Sequence, residues 1–355
     1  MTYYNIENTK TILLCILNWG LGHATRCVPL IQQWQAAGHR VVLASDGRAL
    51  ELLRIEFPDL TCLPLPAHNI RYANRFFEWS IFFQLPKIAL ITLLEHFKVR
   101  VIVKQYGIEE IVSDNRYGCF HPKKRSIFIT HQLNIIIPNP VLQNLARSIN
   151  KRWIKTFFEA CWIPDCEEEP NLSGLLSHGT QLPQIRFIGL LSRMQPLKVK
   201  KQYDWVAVLS GPEPQRTHLE ELIIAQAKRS DKHFKAVIVG GKSEKNEQYF
   251  VKEGIEYCSF LATKELNQLF CAAKVVICRS GYSTLMDLAA TKSQGILIPT
   301  PKQTEQTYLA QHFLTQKIFF SQSQADFDLE VALARYSDYT GLKDIFNNGD
   351  SLYDF

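Results

Sequence analysis

Residues 11–45 alternate an apolar run, an amphipathic stretch and a second apolar run, a pattern that few folds accommodate. Thr11-Ile-Leu-Leu-Cys-Ile-Leu17 reads as a strand, Ala24 to Ala37 as a helix, and His39-Arg-Val-Val-Leu-Ala-Ser45 as a second strand. Gly38 falls where a residue without a Cβ ends many helices. Strand, helix and strand in so few residues make a βαβ crossover, which forces the strands to be parallel and commits helices to the faces of the sheet. Further strands are predicted at 60–65, 110–113, 126–130 and 160–163. The span 73–104 is predicted to be mostly helical, with a break or kink at Pro86.

The pattern lapses near 189–204 into a polar, basic stretch and then resumes. Strands are predicted at 205–209, 234–239, 255–258, 275–278 and 295–298, with helices at 214–228, 264–273, 282–290 and 304–316. A chain of 355 residues with 46% hydrophobic content can bury two cores of ordinary size. Residues 1–190 carry 20 Lys and Arg against 15 Asp and Glu. That excess suits an anionic acceptor or a membrane surface, and it is too small to argue for nucleic acid. Nine cysteines, several inside apolar runs and none in a CxxC pair, suggest reduced thiols and a cytoplasmic location. Met1–Lys10 is polar, without the apolar core of a signal peptide. The longest apolar stretch, 81–94, is interrupted by Gln84, Pro86 and Lys87, so no bilayer span is expected.

Several turns at strand ends gather groups suited to chemistry. Lys274-Val-Val-Ile277 runs into Cys278-Arg279-Ser280-Gly281-Tyr282-Ser283-Thr284-Leu-Met-Asp287, a strand, a turn of small residues and a helix start. Backbone N–H groups there, with the hydroxyls of Ser280, Ser283 and Thr284, make a place for a diphosphate. Ser210-Gly211-Pro-Glu-Pro214-Gln-Arg216 also opens a helix; Gly211 allows close approach and Arg216 offers a charge-assisted bond to phosphate, with a plain helix start as the alternative. Asn18-Trp-Gly20-Leu-Gly22-His23 follows the first strand, and its Gly-x-Gly turn lets a ligand near the backbone. Asp46 at the end of the next strand invites a dinucleotide reading, but Thr25 stands where that fingerprint needs Gly or Ala. Asp114-Asn115-Arg116-Tyr117 sits at the ligand-binding end of a parallel strand, so Asp114 is a candidate base; an Asx-turn is the alternative.

Cys278–Asp287 and Pro299-Thr-Pro-Lys-Gln-Thr304-Glu305-Gln306 resemble, in sequence and spacing, the donor-binding segments of two-domain GT-B glycosyltransferases. They come close to the peptidoglycan N-acetylglucosaminyltransferase and the family 28 C-terminal domain. The resemblance is good over 205–316 and confined to short loops before that. It implies an α/β fold of two Rossmann-like domains facing a cleft: 1–190 for the acceptor, 191–204 as linker and 205–355 for the nucleotide sugar. On the aligned Arg-x-Gly-x-x-Thr pattern, Arg279 and its neighbours contact the donor and Asp287 stands where the family holds the ribose with a glutamate. Glu305 and Gln306 fall where the family contacts the donor sugar, with Thr304 replacing an acid. Ser210 and Gly211 take the place of a Gly-Gly-Ser loop, with prolines for small residues. The Gly20-x-Gly22-His23 order is similar to the family's first glycine loop and turns His23 toward the acceptor, as a base beside Asp114; a helix-capping histidine is the alternative. Thr130-His131-Gln-Leu-Asn134 resembles a His-Glu-Gln-Asn segment and puts His131 on the acceptor wall with Asn115, Arg116 and Tyr117.

The activity so implied is transfer of a hexose or N-acetylhexosamine from a UDP-sugar to a hydroxyl of a sugar or lipid-linked glycan of the cell envelope, inverting and without a cofactor. A nucleotide-sugar 2-epimerase or a non-catalytic nucleotide-sugar-binding subunit fits the same segments. Asp326-Phe-Asp328 matches the Asp-x-Asp metal signature of another transferase class, but it precedes Leu329–Arg335 and is expected to cap a helix. No other His or carboxylate cluster has metal-site spacing, so a metal-independent mechanism is expected. Arg71-Tyr-Ala-Asn-Arg75-Phe-Phe-Glu-Trp79-Ser-Ile-Phe82-Phe83 is expected to supply core, with peripheral membrane docking as the alternative.

Overall fold

A computed structural model describes residues 9–68, 77–180, 182–242, 247–252 and 254–342. They form two compact units. One holds the described residues up to Glu167 with Leu175–Leu191; the other holds Glu168–Gly174 and the described residues from Ser192 onward.

The first unit contains β1 (Thr11–Ile16), α1 (Leu21–Ala36), β2 (Arg40–Ser45), α2 (Gly47–Glu56), β3 (Thr61–Pro64), α3 (Phe77–Tyr106), β4 (Glu110–Asp114), β5 (Arg125–Ile129), α4 (Pro140–Phe157), β6 (Ala160–Ile163) and β7 (Ile185–Phe187). Its seven strands are all parallel, in the order β3-β2-β1-β4-β5-β6-β7. Helices cover both faces, so β1 is buried along its length and reads as an unbroken apolar run. Gly20, at φ 90°, turns the chain off β1 into α1, and Gly38, at φ 83°, ends that helix. Asn139 caps α4 by accepting the N–H groups of Val141 (3.0 Å) and Leu142 (3.1 Å), with Pro140 at its first position.

The second unit contains β8 (Tyr203–Val208), α5 (Gln215–Arg229), β9 (Ala236–Val239), β10 (Gln248–Lys252), β11 (Ile255–Cys258), α6 (Thr263–Ala272), β12 (Ala273–Cys278), α7 (Tyr282–Thr291), β13 (Gly295–Leu297), α8 (Thr304–Thr315), β14 (Phe320–Ser321) and α9 (Leu329–Arg335). The order is β10-β11-β9-β8-β12-β13-β14, parallel except for the antiparallel edge strand β10. Its main core packs Trp205, Ala207, Ile238, Tyr257 and Ile277 of the sheet against Leu219 and Ile223 of α5 and Leu329 of α9.

The expected α/β class and the two Rossmann-like sheets are present. Helix α3 runs through Pro86 instead of breaking there, held to the sheet further along by Val99, Ile102 and Val103. The expectation for Arg71–Phe83 lies outside the residues and side chains described. Helices α2 and α4 and the short strands β7, β10 and β14 were not anticipated. These three strands all lie at sheet edges, where an apolar run is not needed. All nine cysteines are free thiols.

Arg116 is a buried clamp, which corrects its expected place on the acceptor wall. Its guanidinium is wholly enclosed and donates to Glu95 (2.7 Å), to Asp46 (2.8 Å) and to the backbone carbonyls of Ile16 (3.0 Å) and Pro66 (2.5 Å). Asn115, at φ 56°, makes the left-handed step that lets Arg116 turn under the sheet while Asp114 points elsewhere. Asp46 also accepts from Asn18 (3.2 Å), so both of its oxygens are engaged within the protein. Removing one member of a buried ion pair strands the others, at a cost of about 3–5 kcal/mol. Arg116→Ala is expected to lose that much in urea unfolding of the full chain; a loss below about 1 kcal/mol would contradict the clamp.

Candidate functional site

In an open parallel sheet that starts in its middle, neighbouring crossovers leave in opposite directions, and the gap beyond the strand ends is where ligands bind. In the first unit this point lies between β1 and β4, and in the second between β8 and β12.

At the first gap, α1 and β4 bring four side chains together. His23 Nδ1 lies 3.1 Å from Asp114 Oδ1, and Arg26 Nε donates to Asp114 Oδ2 at 2.9 Å. A second guanidinium nitrogen of Arg26 also binds Asp114, and the third meets His131 Nδ1 at 2.9 Å. Cys27 Sγ is 3.4 Å from Asp114 Oδ2. Asp114 is fully buried and its carboxylate is committed to these partners, not to an Asx-turn. His23 and Arg26 share a face of α1 at i and i+3, which is the signal that could have found Arg26 in the sequence.

The charges decide the roles these groups can play. Burial alone would raise the Asp114 carboxyl, but the positive charge of Arg26 and the hydrogen bonds of His23 and Arg26 overcome it and hold the group well below the usual carboxylate range. A carboxylate so stabilised is a poor proton acceptor. Ionised, it can only accept, so the His23 proton sits on Nδ1 and Nε2 keeps a lone pair with no partner among the described residues. Burial, with Arg26 adding to it, lowers the His23 imidazole below its ordinary value despite the opposing pull of Asp114. The first turn of α1 adds a positive helix end. The imidazole is 13% exposed, so a substrate can reach it. Arg26 only donates, so His131 Nδ1 accepts and the ring serves to fix the guanidinium. Tyr117 donates to Asn150 Oδ1 (2.9 Å) and packs on Phe128, so its hydroxyl braces α4.

At the second gap the structure sorts the expected phosphate ligands. Arg216 does not wait for an anion: it binds Glu213 Oε1 through Nε (3.0 Å) and through a terminal nitrogen (2.6 Å), and also reaches the Gly241 carbonyl. Glu213 Oε2 accepts the Thr217 N–H at 3.2 Å, so a carboxylate of the chain itself already occupies the start of α5. Arg279 is buried and donates to the carbonyls of Gln215 (2.7 Å), Ile298 (3.2 Å) and Pro299 (3.2 Å) and to Gln324 Oε1 (2.7 Å). Burial lowers its pKa to about 10. The Ser280 hydroxyl donates to the Gln306 carbonyl at 2.8 Å. These three groups, expected on the donor, instead build the walls of the gap.

At the start of α7, Gly281 provides no side-chain cap, and the hydroxyls of Ser283 and Thr284 have no partner among the described residues. Gly281 has ordinary dihedrals (φ −73°, ψ 142°), and a Cβ there would meet Gln306 Nε2 at 3.7 Å, a normal contact. Nothing in the fold demands glycine at this position, whereas a ligand approaching the backbone would. Gln306 Oε1 accepts the Thr300 N–H at 2.8 Å, which turns its amide nitrogen toward Gly281. Thr300 Oγ1 is buried without a hydrogen bond and lies 3.4 Å from where a Gly211 Cβ would be. Thr300 was passed over in the sequence because a lone threonine between prolines carries no pattern. Asp287 follows Ser283 by four residues and Thr284 by three, so the three share one face of α7. Ser192 donates to Asp287 Oδ1 at 2.6 Å. Burial raises the Asp287 carboxyl to about 6, against the pull of Ser192 and Arg193. Ser210 and Gly211 are exposed, and Glu305 lies in the first turn of α8. Asp328 caps α9 by accepting the Val331 N–H at 2.9 Å, and Asp326 accepts the Ser323 hydroxyl at 2.6 Å.

Arg26→Met tests the electrostatics of the first gap. With the guanidinium gone, Asp114 acts on His23 without that opposing charge, and the imidazole pKa is expected to rise. NMR titration of the His23 ring in the full chain reads this directly; an unchanged midpoint would show that Arg26 does not set it.

Residues 206–333 match the family model of the glycosyltransferase family 28 C-terminal domain. An uncharacterized glycosyltransferase of Methanosarcina acetivorans is 26% identical in an alignment of 317 residues that covers 83% of this chain and 79% of that protein. Among solved structures, the glycotransferase of kitacinnamycin superposes with a TM-score of 0.64 at 14% identity, covering 95% of this chain and 92% of its own. Spinosyn rhamnosyltransferase SpnG, complexed with thymidine diphosphate, gives 0.63 at 15% identity, covering 94% and 93%. Acinetobacter baumannii MurG gives 0.55 at 12% identity, covering 92% and 90%. The chain therefore has the two-domain fold of these glycosyltransferases, and its second unit matches the family 28 C-terminal domain.

Proposed function

We propose that the protein is a glycosyltransferase that moves a hexose or N-acetylhexosamine from a nucleoside-diphosphate sugar, UDP-linked by the sequence resemblance, to an acceptor hydroxyl. The observation that carries this reading is the start of α7 inside the segment that matches the family 28 domain, where Ser283, Thr284 and the Asp287 carboxylate share one helix face. The diphosphate sits on the first-turn N–H groups of α7 and on Ser283 and Thr284, and Asp287 Oδ2 takes the ribose hydroxyls. Gln306, Glu305 and Thr300 line the sugar side, with Gly211 leaving room for it. SpnG was solved with thymidine diphosphate, so a thymidine nucleotide is the natural comparison in any binding assay.

The acceptor belongs to the first unit, near Gly20, Gly22 and Asn115. Its hydroxyl oxygen attacks the anomeric carbon and the bond from that carbon to the β-phosphate oxygen breaks. The hydroxyl proton passes to His23 Nε2, and the nucleoside diphosphate departs. Displacement from the face opposite the leaving group inverts the anomeric centre. Asp114 holds the reactive tautomer of His23 and stabilises the imidazolium that forms, while Arg26 keeps Asp114 ionised. A helix terminus contributes only about 0.3–1 kcal/mol, or about 2 when partly buried, so the hydroxyls and the Gln306 amide supply the rest of the leaving-group stabilisation. With Asp328 spent as a cap, transfer is expected to survive chelation by EDTA.

His23→Ala is expected to lower transfer at least about a hundredfold while leaving nucleotide affinity nearly intact. Wild-type rates, or loss of nucleotide binding in step with activity, would contradict the assignment. Because the His23 pKa is lowered, the base is already free at neutral pH, and the acid limb of kcat should lie below pH 6.5. Asp287→Ala should weaken UDP by about 1.5–3 kcal/mol. A carboxyl with a pKa near 6 must ionise to accept both ribose hydroxyls well, so UDP binding should tighten as pH rises through about 6, and Asp287→Asn should abolish that dependence. Calorimetric titration across pH reads both effects, and affinity insensitive to pH in the wild type would remove Asp287 from the site.

A further inference from the structure

The segment 192–195 has the polar sequence of a plain connection, yet the second unit holds it at every position. Arg193 donates to Thr263 Oγ1 at 2.6 Å. The Gln195 N–H donates to Asn267 Oδ1 at 3.3 Å, and the Gln195 carbonyl accepts the Cys271 thiol at 3.7 Å. Thr263, Asn267 and Cys271 follow one another in steps of four, so they form a single row along α6. Met194, between the two bonded residues, is buried. A segment tied by side chain and backbone to one helix face keeps Ser192 in a fixed place.

From that place Ser192 reaches α7. Its hydroxyl oxygen accepts the Met194 N–H at 3.0 Å, and the hydroxyl donates to Asp287 Oδ1 at 2.6 Å. An ionised carboxylate can only accept, so the single Ser192 proton lies on this bond while the Met194 N–H fixes the rotation of the hydroxyl. Ser192 is the one hydrogen-bond donor to the Asp287 side chain among the described residues. The carboxylate is held by Oδ1 and presented by Oδ2, and a proton taken up at lower pH is steered to Oδ2. The other titratable groups acting on Asp287 are Arg193 of the same segment, which pulls its carboxyl down, and the Cys278 thiol of β12, which burial pushes well above its ordinary value and keeps neutral.

We propose that Ser192 is a positioning residue for the nucleoside: its hydroxyl holds one oxygen of Asp287 so that the other meets the 2′- and 3′-hydroxyls of the ribose. The proposal rests on the assignment of Asp287 to the ribose and adds the group that orients it. A carboxylate fixed before binding loses little side-chain freedom when the nucleotide arrives, so the contribution of Ser192 is felt only by ligands that carry those hydroxyls.

Calorimetric titration of the full chain with UDP and with 2′,3′-dideoxy-UDP tests it. At neutral pH, Ser192→Ala is expected to weaken UDP by about tenfold or more and to leave dideoxy-UDP affinity unchanged, which also reports that the variant is folded. The Ser192 hydrogen bond favours the ionised carboxylate, so its removal should move the pH midpoint of UDP binding upward from about 6. Ser192→Thr keeps the hydroxyl and is expected to restore both affinity and midpoint. Equal losses for the two nucleotides would show a merely structural role and overturn the proposal. Wild-type UDP affinity and midpoint in Ser192→Ala, with UDP weakened in Asp287→Ala, would overturn it and leave the ribose assignment standing. Unchanged UDP affinity in Asp287→Ala would remove that assignment and this proposal with it.

Discussion

A parallel sheet that begins in its middle must send one crossover each way, and the diverging chains leave a gap beyond the strand ends. Both units are built on this constraint. In the first, β1 pairs with β2 on one side and β4 on the other; in the second, β8 is flanked by β9 and β12. The chemistry-bearing groups follow: His23 and Asp114 leave β1 and β4, while Gly211 and Gly281 leave β8 and β12. Each gap also has a buried arginine just beyond its second strand. Arg116 and Arg279 are both fully enclosed and spend most of their donors on carbonyls or side chains that shape the turns around them. These two cations are scaffold.

The remaining charges are arranged so that each gap offers one reactive capability. Around Asp114, one arginine supplies enough positive charge to keep a buried carboxylate ionised, and that fixed anion orients a neutral imidazole whose outer nitrogen is free. At the second gap, Glu213 fills the start of α5, and Gly281 gives α7 no side-chain cap. On the proposed reading, a diphosphate there meets amide and hydroxyl dipoles, while Arg279 of the same turn is spent on carbonyls and Gln324.

Periodicity and turn residues made the architecture legible. The apolar runs of β1, β2, β4, β12 and the glycine stops mark βα units because a sheet covered on both faces has no polar side to show. Helix α4 went unseen although Asn139-Pro140 announces it, because its apolar stripe faces solvent and was not needed to complete a core. Among the candidate residues, Asp114 ends β4 and Gly281 precedes α7, while His23 and Asp287 lie within α1 and α7. The roles of the arginines were not legible. Whether Arg116 or Arg279 meets a ligand or a carbonyl depends on what the fold brings from 19 to 100 residues away, and local sequence holds no trace of it; only Arg216 has its partner, Glu213, at i−3. Arg26 was hidden for the same reason, since its partner Asp114 lies 88 residues further along.

The most direct test of the account is a crystal structure of the full chain with UDP. The account predicts the diphosphate on the N–H groups of Tyr282–Thr284, the ribose on Asp287, and Glu213 still bonded to Arg216 and Thr217. A diphosphate seated on α5 after displacement of Glu213, or on the Gly20–Gly22 turn of the first unit, would contradict it.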